Sequence, residues 1–194
     1  MKIFKVIRGI WWYFWGHLLL IRRYDSKYFS GKEFQGRLNG LCAVGWMIAV
    51  KDAFSCHIHG VNQKVPWPVN PCTIVVGAEN ISFDPHDIRI FQVPGCYYQG
   101  IGKITIGSGC YIAPNVGLIT ANHSFENLDD HYPPKDISIG KNCWIGMGSV
   151  ILPGVELGDH TIVGAGSVVT KSYKDGNCII AGNPAKPIRF LGDS

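Results

Sequence analysis

The chain has 194 residues, 46% of them hydrophobic and 16% charged, with a formal net charge of +4. That length buries a sizeable core as a single domain, and the low charged fraction suits a structure whose flat faces are covered by partners. Seven cysteines without a CxxC pair exclude a disulfide framework; they read as small core fillers in a reducing cytoplasm.

The charge is unevenly spread. Residues 1–37 carry Lys2, Lys5, Arg8, Arg22, Arg23, Lys27, Lys32 and Arg37 against Asp25 and Glu33, a local balance of +6 that leaves −2 for the remainder. Within this helical segment, GIWWYFWGHLLLI runs from Gly9 to Ile21 with His17 its only polar side chain apart from a tyrosine hydroxyl. The run is short for a membrane span, and no small-residue cleavage site follows to mark a signal peptide. A basic, Trp-rich helix has two readings. It lies in a membrane interface, a peripheral contact through residues 1–21, or it packs on the rest of the protein or a neighbouring subunit.

Residues 38–75 read as a connecting region. GWMIAV (Gly45–Val50) reads as a buried strand and PWPVNP as a rigid connector. His57 and His59, two apart, face one side if the backbone is extended, yet no third ligand with suitable spacing follows, so no metal is assigned. Val76, Ser82 and Ile88 then fall on a six-residue count that Pro94 and Gly100 interrupt. Within it FDPHD (Phe83–Asp87) reads as a turn, with His86 a candidate for substrate contact.

From Ile106 the count is regular through Ile112 and Leu118, and it resumes at Ile139, Ile145, Ile151, Leu157, Val163 and Val169 without a slip. Four positions after each aliphatic stands a small or β-branched residue: Cys143, Ser149, Val155, Thr161 and Ser167. Glycine follows the aliphatic at 140, 146, 158 and 164. A helix cannot keep every sixth residue on one face, but short strands joined by tight turns can. The aliphatic points inward, the small residue fills the corner, and the glycine is expected to accept backbone angles that a Cβ would strain. Leu118 and Ile139 are 21 apart, and the polar segment between them, rich in histidine and proline, reads as a loop over 120–136 projecting from the coil.

The ordered set NHSF (Asn122–Phe125), CWIG (Cys143–Gly146), ILPGV (Ile151–Val155), VGAGSVVTK (Val163–Lys171) and AGNPAK (Ala181–Lys186) resembles the hexapeptide-repeat acyltransferases. It is similar to the galactoside, maltose and Nod-factor O-acetyltransferases and to the O-acetyltransferases of surface-polysaccharide clusters. The resemblance implies an all-β, left-handed parallel β-helix over residues 76–192, with an N-terminal helical segment and a protruding loop. It implies a homotrimer with active sites between subunits; the cysteine usage points to the cytoplasm, and the membrane reading of the basic, Trp-rich segment would put the protein at the inner face of a bacterial membrane. The activity implied is acetyl-CoA-dependent O-acetyl transfer to a sugar or glycan hydroxyl, with no metal and no nucleic acid.

A sugar hydroxyl is too weak an acid to ionise near neutrality, so transfer from a thioester needs a base, and imidazole suits that task. The resemblance puts the role on His123, with His131 the second loop histidine and Asn122 beside it as contacts to the acceptor. An oxyanion donor is also required. Gln99, in CYYQG, stands nearest to the amide that related enzymes place there; a packing or turn role is its alternative. Trp144, Gly148, Ala165 and Thr170 would line the acetyl-CoA groove, and Lys171, Lys186 and Arg189 would meet its phosphates. No G-x-S-x-G elbow and no Cys–His signature is present, so direct transfer is the simpler mechanism. VGAGSVVTKS lacks the glycine before lysine of a nucleotide loop. N-acetyl transfer to an amino or nucleotide sugar and a non-catalytic binding coil are the alternatives. A γ-type carbonic anhydrase would need two zinc histidines five residues apart, whereas His123 and His131 are eight apart.

Overall fold

The computed structural model describes residues 2–35, 40 and 43–192; Arg37, counted above among the basic residues, lies outside them. Where length alone points to one domain, the chain divides into two compact units: Met1–Pro71 with Pro85–Gln92, and Cys72–Asp84 with Val93–Ser194.

The second unit is built from three sheets that the chain visits in rotation. Face A holds Ile74–Val76, Tyr97–Gln99, Gly117–Ile119, Val150–Ile151 and Val168–Val169. Face B holds Ile81–Phe83, Ile104–Ile106, Ile137–Ile139 and Glu156–Leu157, and face C holds Tyr111–Ile112, Trp144–Ile145, Thr161–Val163, Cys178–Gly182 and Ala185–Phe190. All pairings are parallel except the last, where Ala185–Phe190 folds back on Cys178–Gly182. Parallel registry sets like on like. Tyr98, Leu118, Ile151 and Val169 form one inward row, none of them accessible to solvent, and Ile112, Ile145, Val163 and Ile180 form another. Each fully buried aliphatic in such a row contributes about 1.5–3 kcal/mol.

The corners are filled as the repeat requires. Cys143, Ser149, Val155, Thr161 and Ser167 are all buried. Their hydroxyls are satisfied by backbone: Ser149 and Ser167 both donate to the Gly164 carbonyl, at 2.9 and 2.6 Å, and Thr161 donates to that of Gly158 at 2.7 Å. Of the cysteines in this unit, Cys96, Cys110, Cys143 and Cys178 are buried free thiols and Cys72 is an exposed one.

Two expectations change here. The glycines that follow the aliphatics do not sit at positive φ; space is their reason. A Cβ on Gly146 would lie 2.6 Å from the Ala165 nitrogen of the next coil. Positive φ belongs instead to the turn residue further on, such as Gly148 (φ 69°) or Asn142 (φ 55°). The six-residue count also slips by one upstream of Ile104. Val75 and Ile81 point inward, whereas Val76 is 40% exposed and Ser82 faces solvent. Ile88 is buried, but it lies in the 3-10 segment Pro85–Phe91 of the first unit; of FDPHD, expected as a turn, Phe83 ends a face B strand and Pro85–Asp87 open that 3-10 segment.

The first unit carries helix α1 (Lys2–Arg22) and helix α2 (Val44–His59). α2 includes GWMIAV, which the sequence reading made a strand, and so overturns it. A six-residue apolar run does not distinguish the two. The longer pattern does: Trp46, Ala49, Ala53 and Cys56 recur at helical spacing and are buried. His57 and His59 therefore occupy the last helical turn, exposed, and do not share a strand face. Gly60 (φ 68°) ends the helix in the left-handed conformation. The helices meet closely at Gly16, where a Cβ would come 2.4 Å from a ring carbon of Trp46. Trp46 stacks on Phe29 (5.3 Å between centroids) and packs against Tyr13 and His17; a second cluster joins Tyr28, Trp67 and Phe91, each step 5.0 Å.

One buried group of this unit opposes folding. Asp52 Oδ2 has no hydrogen-bond partner among the described residues, and burial pushes its carboxyl up to about 7. A carboxyl raised in the folded state takes up a proton on folding. Stability therefore falls as pH rises from the ordinary Asp range through about 7, and levels off above it. Asp52→Asn is expected to raise the thermal midpoint, with a gain in stability on the order of 1 kcal/mol after allowance for water reaching the side chain, larger at pH 8 than at pH 5. Equal gains at the two pH values would contradict this.

Candidate active site

Face A strands leave the coil at one corner, and there the regular turn is replaced by the loop 120–136. Its foot is fixed by Gln99 and Thr120. The Gln99 side-chain oxygen accepts from the backbone N–H of Thr120 (3.1 Å) and of Ala121 (3.0 Å). The Thr120 hydroxyl, fully buried, donates to the Gln99 carbonyl and accepts from Gly102 N–H at 2.9 Å. Lys135 N–H returns to the Thr120 carbonyl at 2.8 Å and closes the loop. With its oxygen so engaged, Gln99 is left with Nε2 as the donating end of the amide.

Above the foot the loop is a short hairpin in which His123 and His131 face each other across an antiparallel bridge. Ser124 N–H donates to the Asp130 carbonyl (2.8 Å) and Tyr132 N–H to that of Asn122 (2.9 Å). The two imidazole rings lie 4.1 Å apart between centroids. His123 Nδ1 is 2.6 Å from the Leu128 carbonyl oxygen. A carbonyl only accepts, so in the neutral ring Nδ1 carries the hydrogen and Nε2 keeps the lone pair.

The hairpin is braced by Glu126, whose Oε2 accepts from the hydroxyls of Ser124 (2.6 Å) and Tyr132 (2.9 Å), while Phe125 N–H donates to the Tyr132 oxygen (3.1 Å). The Ser124 and Tyr132 hydroxyls hold the Glu126 carboxyl below its ordinary value. A pocket of about 260 Å³ opens beside the loop, lined by Asn122, Tyr132, Pro133, Lys135, Leu152, Pro153 and Thr170.

The structure thus brings together Asn122, His123, His131 and Gln99 at the loop, with Thr170 across the pocket and Lys171 following it at the same corner. The remaining candidates of the second unit lie elsewhere on the coil. Trp144 is 54% exposed on the outer side of face C, between Tyr111 and Ile162, which excludes core packing. Gly148 and Ala165 sit in successive turns that lead from face C to face A. Strand residues 150–151 separate Gly148 from Leu152 of the pocket, roughly 13 Å at 3.3 Å per residue. Lys186 and Arg189 are exposed on the fold-back strand Ala185–Phe190, and His86 is exposed in the first unit. Among the described residues no group of three or more His, Cys, Asp or Glu is placed to hold a metal ion.

Tyr132, Lys135, Leu152 and Pro153 were not singled out in the sequence. Leu152 and Pro153 belong to the ILPG motif, whose neighbouring turn supplies the pocket wall; nothing in the sequence marks Tyr132. The Leu128 carbonyl is backbone and has no sequence signature.

A three-faced repeat coil with a histidine-bearing loop at one corner defines a class. Residues 136–171 match the model of the bacterial transferase hexapeptide family (six repeats). The chain is 42% identical over 93 residues to the galactoside O-acetyltransferase of Escherichia coli, covering 46% of this chain and 45% of that one. The structure of a galactoside acetyltransferase in complex with coenzyme A is 33% identical, with a TM-score of 0.56 over 66% of this chain and 62% of that one. A hexapeptide-repeat acetyltransferase of Vibrio cholerae, solved with acetyl-coenzyme A, is 26% identical with a TM-score of 0.54, covering 63% and 66%. The chain spans about half the length of the curated relatives it matches.

Tyr132→Phe removes a donor to Glu126 and the acceptor of Phe125 N–H. A depressed carboxyl stabilises the loop above the ordinary Glu range and loses that contribution as pH falls through its lowered value. The variant's Glu126 should titrate at higher pH than the parent's, and the Phe125 amide should exchange faster, both read by NMR. An unchanged Glu126 titration would show that Tyr132 does not brace the loop.

Proposed function

We propose that this protein transfers an acetyl group from acetyl-CoA to a hydroxyl of a sugar or surface-polysaccharide precursor, with His123 as general base. The observation that carries the reading is the 2.6 Å contact of His123 Nδ1 with the Leu128 carbonyl. It aims a lone pair at Nε2 from a loop braced on a rigid coil, as proton abstraction requires. The family of residues 136–171 and the coenzyme A complexes of similar proteins support the choice of donor.

In this scheme His123 Nε2 takes the hydroxyl proton as the acceptor oxygen bonds to the thioester carbonyl carbon. The Gln99 amide donates to the oxyanion that forms. As the carbon–sulfur bond breaks, the imidazolium returns its proton to the departing thiolate. No acyl-enzyme intervenes. Asn122, Tyr132 and Lys135 line the pocket that would take the acceptor, and the His131 ring lies tilted against that of the base. Trp144, Gly148, Ala165, Lys186 and Arg189 lie away from that corner, which fits a donor groove completed by a neighbouring subunit.

We further infer a left-handed coil and a homotrimer acting in the cytoplasm, where acetyl-CoA is found. The trimer is supported by the apolar side chains on the outside of the second unit: Ile74, Tyr111, Trp144, Met147, Ile188 and Phe190 are each half or more exposed in the single chain. Patches of that kind mark interfaces. Sedimentation velocity is expected to show a trimer, and a stable monomer at working concentration would overturn it.

His123→Ala should lower turnover by ~10²–10⁴ while leaving the dissociation constant for CoA within a few-fold, because the base acts on the acceptor. Calorimetry with CoA and a thiol-release assay read the two effects. Near-parental turnover would move the base elsewhere, and loss of CoA binding would make His123 a donor contact.

A further inference from the structure

The first unit presents a surface that the transferase chemistry does not use. On α1 the side chains of Phe4, Ile7, Trp11, Phe14 and Trp15 recur at helical spacing, with exposures of 81, 60, 51, 64 and 39%. At 100° per residue they fall within an arc of about 100°. Tyr13 and Gly16, which meet Trp46 of α2, lie on another side of the helix. Phe4, Ile7, Trp11 and Trp12 also line an open groove of about 450 Å³, and its remaining walls are Lys5 and Arg8. No Asp or Glu occurs before Asp25. The row is apolar and aromatic along its crest, and its only charges are positive.

We propose that this face of α1 docks on an anionic lipid surface, lying parallel to it with Phe4, Trp11 and Phe14 in the acyl boundary. Two features select that occupant. Charge complementarity is the first: Lys5 and Arg8 rim the apolar groove, where lipid phosphates would meet cations while acyl chains meet the rings. A second copy of the same face would instead bring Lys5 and Arg8 against their own kind without a carboxylate between them. The aromatic composition is the second, since indole rings settle at the headgroup level. The helix lies on the surface and does not cross it: no helix among the described residues is long and apolar enough to span a membrane. The inference stands apart from acetyl transfer, and it favours acceptors that are themselves held at a membrane.

The test uses the full chain and vesicles of phosphatidylcholine, with or without a quarter of phosphatidylglycerol, read by cosedimentation and tryptophan emission. The protein should bind the anionic vesicles at low salt with a blue shift, and bind them more weakly as salt rises. Lys5→Gln and Arg8→Gln should each weaken binding about fivefold. The triple variant Phe4→Gln, Trp11→Gln, Phe14→Gln changes only exposed side chains, and it should lose the portion of binding that survives high salt. The proposal fails if the parent ignores anionic vesicles at low salt, or if the triple variant binds them as tightly as the parent. It fails equally if that variant lowers the oligomeric state without vesicles, which would make the face a contact between copies. None of these readouts involves turnover, so transfer and docking stand or fall separately.

Discussion

The second unit depends on one constraint: each coil hydrogen-bonds to the coils next to it, in parallel and without a shift. Gly146 N–H reaches the Val163 carbonyl and Val150 N–H that of Ser167, both at 2.8 Å, so a strand of two residues is satisfied only by its neighbours. Registry then forces equivalent side chains to stack about 4.8 Å apart. Like volumes must follow like along each row, or the rows jam or leave voids. That is why the rows are so uniform in burial.

Because registry couples sequence to geometry so directly, the coil from Ile104 onward was readable from residue spacing alone. The loop was readable as the one place where the count failed. What escaped was information that spacing does not hold. In the first turns Val75 and Ile81 replace the expected Val76 and Ser82, since their partners in the next coil are Tyr98 and Ile104, each 23 residues on, which is not a multiple of six. The hydrophobicity of GWMIAV suits either element; only the continuation through Ala53 and Cys56 reveals a helix. Crowding against the next coil and positive φ select the same residue, so a glycine in the sequence does not tell the two apart.

The site follows a similar division. His123 and Asn122 stood out because they interrupt a repeat. The features that orient the His123 ring, the Leu128 carbonyl and the braced hairpin, come from main-chain geometry and from Glu126 and Tyr132, ordinary residues for a polar loop. Rigidity comes from below: Gln99 and Thr120 extend the coil's own hydrogen bonding into the loop, so the histidine-bearing hairpin inherits the order of a scaffold it does not belong to.

The fold-back strand Ala185–Phe190 has a bearing on solubility. A stack of parallel coils is open at its ends, and an open end offers unpaired backbone to any other chain that can add a strand. On face C that growth point is occupied by a strand of opposite direction, so a further parallel rung has no template to copy. The new edge is itself poorly suited to pairing: Pro187 lacks an N–H, and Lys186 and Arg189 bring charge to it. The terminal strand thus acts as a stopper against end-to-end fibre formation, a hazard that the same registry creates.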